Sequence, residues 1–128
     1  MTATRPAVFR ADELPVPPGP ATSGMDRRQI VDTESAWIGW VRTDRGFAGG
    51  WHHHADRDSY IYVIKGELTM EYGAAGGDSL TARAGEVIVN PAHMIHREVT
   101  PGDSVEAIVI RLGTGPLNVN VDGPDSEA

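Results

Sequence analysis

The stretch Trp51-His52-His53-His54 sets three of the chain's five histidines side by side. On a β-strand, residues two apart share a face, so His52 and His54 project together while His53 points the other way. Two imidazoles on one side of a strand form a chelate for a transition metal. The triplet lies in mid-sequence, flanked by a tryptophan and turn residues, which excludes a terminal purification tag. A third imidazole comes from His96. Gly85 opens a turn, Val87 to Val89 form a strand, Pro91 ends it, and His96 begins the next one. If that strand faces residues 52–54 across a barrel interior, His52, His54 and His96 make a facial triad for one divalent ion per chain, Fe, Mn, Ni or Zn.

Strands have to carry these side chains, and the sequence reads as strands. Apolar residues recur with period two in short runs bounded by Gly, Pro, Asp and Asn. The pattern predicts strands over about 28–32, 36–42, 48–54, 59–65, 67–72, 79–83, 86–90, 95–99 and 104–112. In the run 67–72, Leu68, Met70 and Tyr72 share one face and Glu67, Thr69 and Glu71 the other, as a half-buried strand requires. The run from Tyr60 to Ile64 differs, because Ile61 and Val63 face one way, Tyr60, Tyr62 and Ile64 the other, and both sets are apolar. Such a strand needs cover on both sides, from the terminal arms or from another subunit. Regular turn signals and no convincing amphipathic helix predict an all-β, double-sheet barrel. A chain of 128 residues, 40% apolar with 15 Gly and 9 Pro, suits one turn-rich domain. Five prolines between Pro6 and Pro20 make residues 1–24 an extended N-terminal arm. The barrel is expected over 25–113, and 114–128 form a C-terminal strap and acidic tail.

These spacings resemble the two motifs of small single-domain cupins. The first, G-x5-H-x-H-x3–4-E-x6-G, is matched by Gly46, His52, His54 and Gly66, with Ser59 where the family has Glu. The second, G-x5-P-x-G-x2-H-x3-N, is matched by Gly85, Pro91 and His96, with His93 in place of the second Gly and Thr100 in place of Asn. The resemblance implies a double-stranded β-helix, or jelly-roll, barrel, commonly a homodimer, with metal ligation by His52, His54 and His96.

The absent glutamate leaves the fourth donor open. Ser59 is neutral and a poor ligand for a divalent ion. Asp58 is a candidate metal ligand one residue away, yet that shift turns its side chain to the opposite face once the strand has begun, and a turn residue is its other reading. Glu98 has the same parity as His96 and is the candidate catalytic residue, as a general acid or base or as the partner of an imidazole N–H. It could instead meet solvent or pair with Arg97 or Arg111. His93 reads as a turn or rim residue.

A net charge of −7 and a pI near 5.1, with no basic stripe, argue against nucleic acid as a partner. No apolar run is long enough for a membrane span and no leader pattern opens the chain, so a cytoplasmic protein is expected. Cysteine is absent, which removes disulfides and thiolate ligands together. Three neutral imidazoles leave the metal's charge uncompensated, so the site should take an anionic or enolisable oxygen ligand. Trp37 or Trp40, Ile61, Val63, Met70 and Tyr62 are candidate apolar walls for a small organic molecule. The expected function is a metal-dependent enzyme of dioxygenase, isomerase, lyase or cyclase type acting on a small anionic, dicarbonyl or phenolic compound. The alternative is a non-catalytic module that binds a small ligand through the same metal.

Overall fold

Alternation of apolar and polar residues becomes strand along most of the chain. In the computed structural model, which describes residues 4–126, the strands are β1 (Met25–Asp32), β2 (Ala36–Thr43), β3 (His52–His53), β4 (Asp58–Lys65), β5 (Glu67–Tyr72), β6 (Asp78–Arg83), β7 (Val87–Asn90), β8 (His96–Val99), β9 (Val105–Leu112) and β10 (Val119–Asn120). They form two five-stranded antiparallel sheets, ordered β1-β2-β9-β4-β7 and β10-β3-β8-β5-β6. The fold is a jelly-roll barrel. Both sheets send apolar side chains inward to one core: Trp37 and Val41 from β2, Ile61 and Val63 from β4, Leu68 and Met70 from β5, and Val105, Ala107 and Val109 from β9. Each buried side chain of this size contributes about 1.5–3 kcal/mol relative to exposure, so the core rather than the loops holds the two sheets together.

Two expectations about the strands are corrected. The run 48–54 is not one strand. Regular pairing covers only His52–His53, and Ala48 makes a single bridge to Val99, because Gly49 and Gly50 give that stretch no side chains to pack. His96 does not face His52 across the barrel. The two are register partners on adjacent strands of one sheet, β3 and β8.

The chain termini are used to finish the sheets. Gln29 donates its backbone N–H to the Pro15 carbonyl (2.7 Å), and Arg28 donates to the Leu14 carbonyl (3.1 Å), which lays the proline-rich segment along the free edge of β1. At the other end β10 pairs with β3, Val119 against His53 and Asn120 against His52. The sequence did not mark β10, which is only two residues long.

The two-sided run in β4 sorts as the period predicts. Ile61 and Val63 are buried inward, whereas Tyr62 and Ile64 stay 44% and 43% exposed on the outer face. There Tyr62 pairs with Ile108 and Val87, and Tyr60 with Ile110 and Val89, so an apolar surface runs across β9, β4 and β7. Tyr62 is thus no wall of the interior. Trp40 lies on the same outer side of β2, opposite Ile108, leaving Trp37 as the inner tryptophan.

Gly39 makes room for that tryptophan. A Cβ there would lie 2.8 Å from the Arg28 carbonyl oxygen and closer still to the Trp37 ring. The ring is held by its Nε1–H, which donates to Gln29 Oε1 (3.0 Å), and it cannot retreat. Gly39→Ala should therefore destabilise the fold by about 1–3 kcal/mol, read as a lower urea midpoint with an unchanged slope; an unchanged midpoint would show that the ring is free to move.

Candidate metal centre

Local geometry aims the imidazoles. His52 and His96 both turn back on the chain, so that Nδ1 of each meets the carbonyl oxygen two residues earlier, Gly50 for His52 (2.8 Å) and Met94 for His96 (2.9 Å). His54 reaches the strap instead, with Nδ1 2.7 Å from the Leu117 carbonyl oxygen. A carbonyl can only accept, so each Nδ1 carries the proton and each Nε2 presents a lone pair. Bonds of this kind orient metal-binding histidines and raise their basicity.

The three Nε2 atoms converge with a carboxylate. One ligand atom from each of His52, His54, His96 and Glu98 lies within 4.8 Å of all the others. Glu98 Oε1 is 3.3 Å from His96 Nε2, and Oε2 is 3.6 Å from His52 Nε2. The ring centroids stand 4.3 Å apart for His52 and His96, and 5.0 Å for each of the other two pairs. His96 is fully buried, and its Nε2 has no hydrogen-bond partner among the described residues. A buried nitrogen lone pair without a donor is costly unless a cation meets it. The set of three nitrogens and one carboxylate oxygen suits Mn, Fe, Co, Ni or Zn. His52, His54, His96 and Glu98 thus form a possible metal site.

Electrostatics fits that role. Burial pushes His54 down to about 3 and holds His52 below its usual range, although Glu98 pulls His52 back upward. Burial also lowers His96, but the adjacent Glu98 carboxylate outweighs it and sets this imidazole above its ordinary 6.5. Glu98 itself would be raised by burial, yet the surrounding imidazoles, His96 first, hold it well below the usual carboxylate range. Glu98 is therefore ionised at neutral pH and His96 carries the site's most readily held proton.

Other candidates fall elsewhere. Asp58 is not part of the centre. It is exposed, and its Oδ1 accepts the Ala92 N–H (2.9 Å), tying the start of β4 to the turn after Pro91. Strand alternation turns it outward because Ser59, its neighbour, points in. His53 also points away and accepts the Ala55 N–H on Nδ1 (3.0 Å). His93 takes a left-handed backbone (φ 63°), which explains why the related motif prefers Gly there, and it pairs with Asp56 (2.8 Å) at the surface. Thr100 is buried as a loop tie, donating to the Asp44 carbonyl (2.6 Å) and accepting the Phe47 N–H (2.9 Å). Arg97 is engaged by Glu71 (2.6 Å), which leaves Glu98 to the centre.

The centre opens into a cavity of about 340 Å³. Ile61 lines it, as expected, joined by Val41, Leu68 and Val109; Ser59, Arg27 and Arg111 also line it. The two arginines were not recognised in the sequence as cavity residues, although Arg111 ends the alternation Val105, Ala107, Val109 on the inner face of β9.

Residues 39–113 match the family described as Cupin domain, well over half the chain, and the protein belongs to that family. No curated protein matches the sequence. Among solved structures, an uncharacterized conserved protein with a double-stranded β-helix domain from Klebsiella pneumoniae superposes with a TM-score of 0.73 at 17% identity, over 92% of this chain and 99% of that one. KdgF from Halomonas sp. gives a TM-score of 0.69 at 24% identity, over 85% and 96%. An oxalate decarboxylase from Bacillus subtilis, a protein with Mn(II) centers, gives 0.67 at 17% identity, over 79% of this chain and 29% of that one. At these identities the likeness is one of fold.

Metal uptake should be linked to protons with a definite sign. His96, raised above 6.5, must lose its proton before Nε2 can bind an ion. Affinity for Zn(II) should rise from about pH 6 to about pH 8, with close to one proton released per ion at the lower end. Calorimetry in two buffers of different ionisation enthalpy measures the release; heats that do not depend on the buffer would remove the protonated His96 from the ion-free centre.

Proposed function

We propose that this cupin is a metal-dependent enzyme acting on a small anionic or enolisable organic compound, with one divalent ion held by His52, His54, His96 and Glu98. The observation that carries the reading is the convergence of three pre-oriented Nε2 atoms and one ionised carboxylate at the floor of a cavity sized for a small molecule. An ion bound there would act as a Lewis acid, polarising a substrate oxygen or lowering the pKa of a water.

The chain's own residues supply the rest. The three Nδ1–carbonyl bonds hold the rings while substrate enters and leaves. Val41, Ile61, Leu68 and Val109 exclude water from one side of the cavity and strengthen the charges on the other. Glu98, with one oxygen toward His96 and the other toward His52, would bind the ion through one oxygen, leaving the second to take or return a proton at a carbon next to a carbonyl. Bond-cleaving enzymes share the fold: DMSP lyases superpose with a TM-score of 0.66 and the oxalate decarboxylase with 0.67. Their company favours lyase chemistry, with isomerase, oxygen-dependent and purely binding roles as the outcomes to be tested against it.

Elemental analysis of untagged protein should give close to one Mn, Fe, Ni or Zn per chain, and His52→Ala and His96→Ala should each reduce this at least about tenfold. Metal-free preparations under every condition would end the reading. Glu98→Gln should keep a weaker-bound ion and lower turnover by about 100-fold or more, whereas full activity would remove Glu98 from proton transfer. Oxygen consumption with 1,3-diketones, catechols and flavonols separates oxygenase from non-redox chemistry, and uptake of oxygen would overturn the lyase preference.

A further inference from the structure

The related motif places a metal-binding Glu on β4, and here that position is Ser59, while the carboxylate comes from Glu98 on β8. What occupies the vacated ground is informative. Ser59 is 1% exposed, lines the cavity, and its Oγ has no hydrogen-bond partner among the described residues. Its register partner across the β4–β9 ladder is Arg111. The Arg111 guanidinium lies 5.2 Å from the centroid of the Trp37 ring, and its Nε is also buried without a partner. Arg27, on the inner side of β1, lines the same cavity, and neither guanidinium makes a hydrogen bond or ion pair within the described residues.

Two guanidiniums and a hydroxyl, all unpaired, therefore share one cavity beside the candidate metal site. Burial, joined by the charges of Arg27 and Arg57, pushes Arg111 down to about 10 against the pull of Glu98, which leaves it fully charged at neutral pH. Once Glu98 is committed to a divalent ion, the arginines have no carboxylate of the protein to answer them. Buried charges of one sign persist when a ligand of the opposite sign completes the site. Arg111 lies against the Trp37 ring, and a guanidinium fork matches a planar carboxylate edge-on with two parallel hydrogen bonds.

We propose that Arg111, Ser59 and Arg27 form a carboxylate-binding subsite, so that the substrate is a small carboxylic acid whose carboxylate rests there while another oxygen of the same molecule faces the metal. This rests on the metal-dependent reading above and adds to it the substrate class. It also accounts for the Ser59 exchange: a Glu at this position would neutralise Arg111 and exclude the substrate's own carboxylate.

The test uses full-length protein loaded with Mn(II), its metal content measured for every variant, and two probes followed by calorimetry. Malonate offers carboxylates; acetylacetone offers the metal two oxygens and no carboxylate. Arg27→Gln and Arg111→Lys should each weaken malonate by roughly 10- to 100-fold and leave acetylacetone within about threefold, at unchanged metal content. Arg27 is only partly buried, so Arg27→Gln keeps the proposal exposed to test should Arg111→Lys fail to fold. Equal malonate affinity in all variants, parallel losses of both probes, or no malonate binding by metal-loaded wild type at about 10 mM would overturn it. Inorganic phosphate binding more tightly than malonate would overturn the choice of a carboxylate. A wild-type protein that takes up no Mn(II) would instead defeat the metal reading, an outcome distinct from each of these.

Discussion

The centre depends on where three protons sit. Each imidazole has two nitrogens, and only the tautomer that leaves Nε2 bare can converge on an ion. Backbone carbonyls of Gly50, Met94 and Leu117 make that choice. These acceptors cannot titrate or rotate away, unlike a side-chain carboxylate, so the preference is built into the chain path itself. Two of them lie two residues before the histidine they hold. The third belongs to the strap that leads into β10, which makes the pairing of β10 with β3 a support for His54 as well as an edge to the sheet.

That dependence explains why the histidines were legible in the sequence and their arrangement less so. Spacing two apart places His52 and His54 on one side of a strand whatever the fold, and the related motif supplies His96. Spacing does not say which strand lies next to which, and the pairing of His52 with His96 in one sheet is a property of long-range topology. Parity found Glu98 because β8 is regular through His96–Val99. Asp58 was misleading for the converse reason: proximity in sequence to the missing Glu carries no weight when alternation sends the neighbour's side chain to the other face. Strand positions were readable from the period-two pattern, whereas β10, two residues long, has no period to read. The arginines of the cavity were missed because charge at the end of an apolar alternation reads as a strand emerging into solvent, and only the closed barrel shows that Arg111 stays inside.

Moving the carboxylate from β4 to β8 changes more than a ligand's address. On β8, Glu98 lies two residues after His96 and shares its side of the strand, so the anion and the imidazole that most readily holds a proton are fixed by one short segment. The ground on β4 is then held by a small hydroxyl, and neither it nor the Nε of its register partner Arg111 has a hydrogen-bond partner among the described residues. A chain whose net charge is −7 thus holds a cavity with two unpaired cations beside a candidate metal site, and the contrast between its surface and its interior is electrostatic as well as apolar.

An acidic exterior would repel a small anion at long range, but screening by salt shortens that reach. At physiological ionic strength exposed charges are felt over about 8 Å, so the surface acts weakly on a molecule already at the cavity mouth. Inside, the walls are apolar and the dielectric is low, and the same charges act several-fold more strongly. Under the proposed carboxylate subsite, selection would be made within the cavity, where a neutral compound of equal size would leave the guanidiniums unanswered. Trp37 is the link between this selection and the fold. Its ring supports Arg111 on one side, its Nε1–H is fixed by Gln29, and Gly39 yields the space it needs. Packing in the sheet that contributes nothing to the candidate metal site thereby positions a charge that faces it.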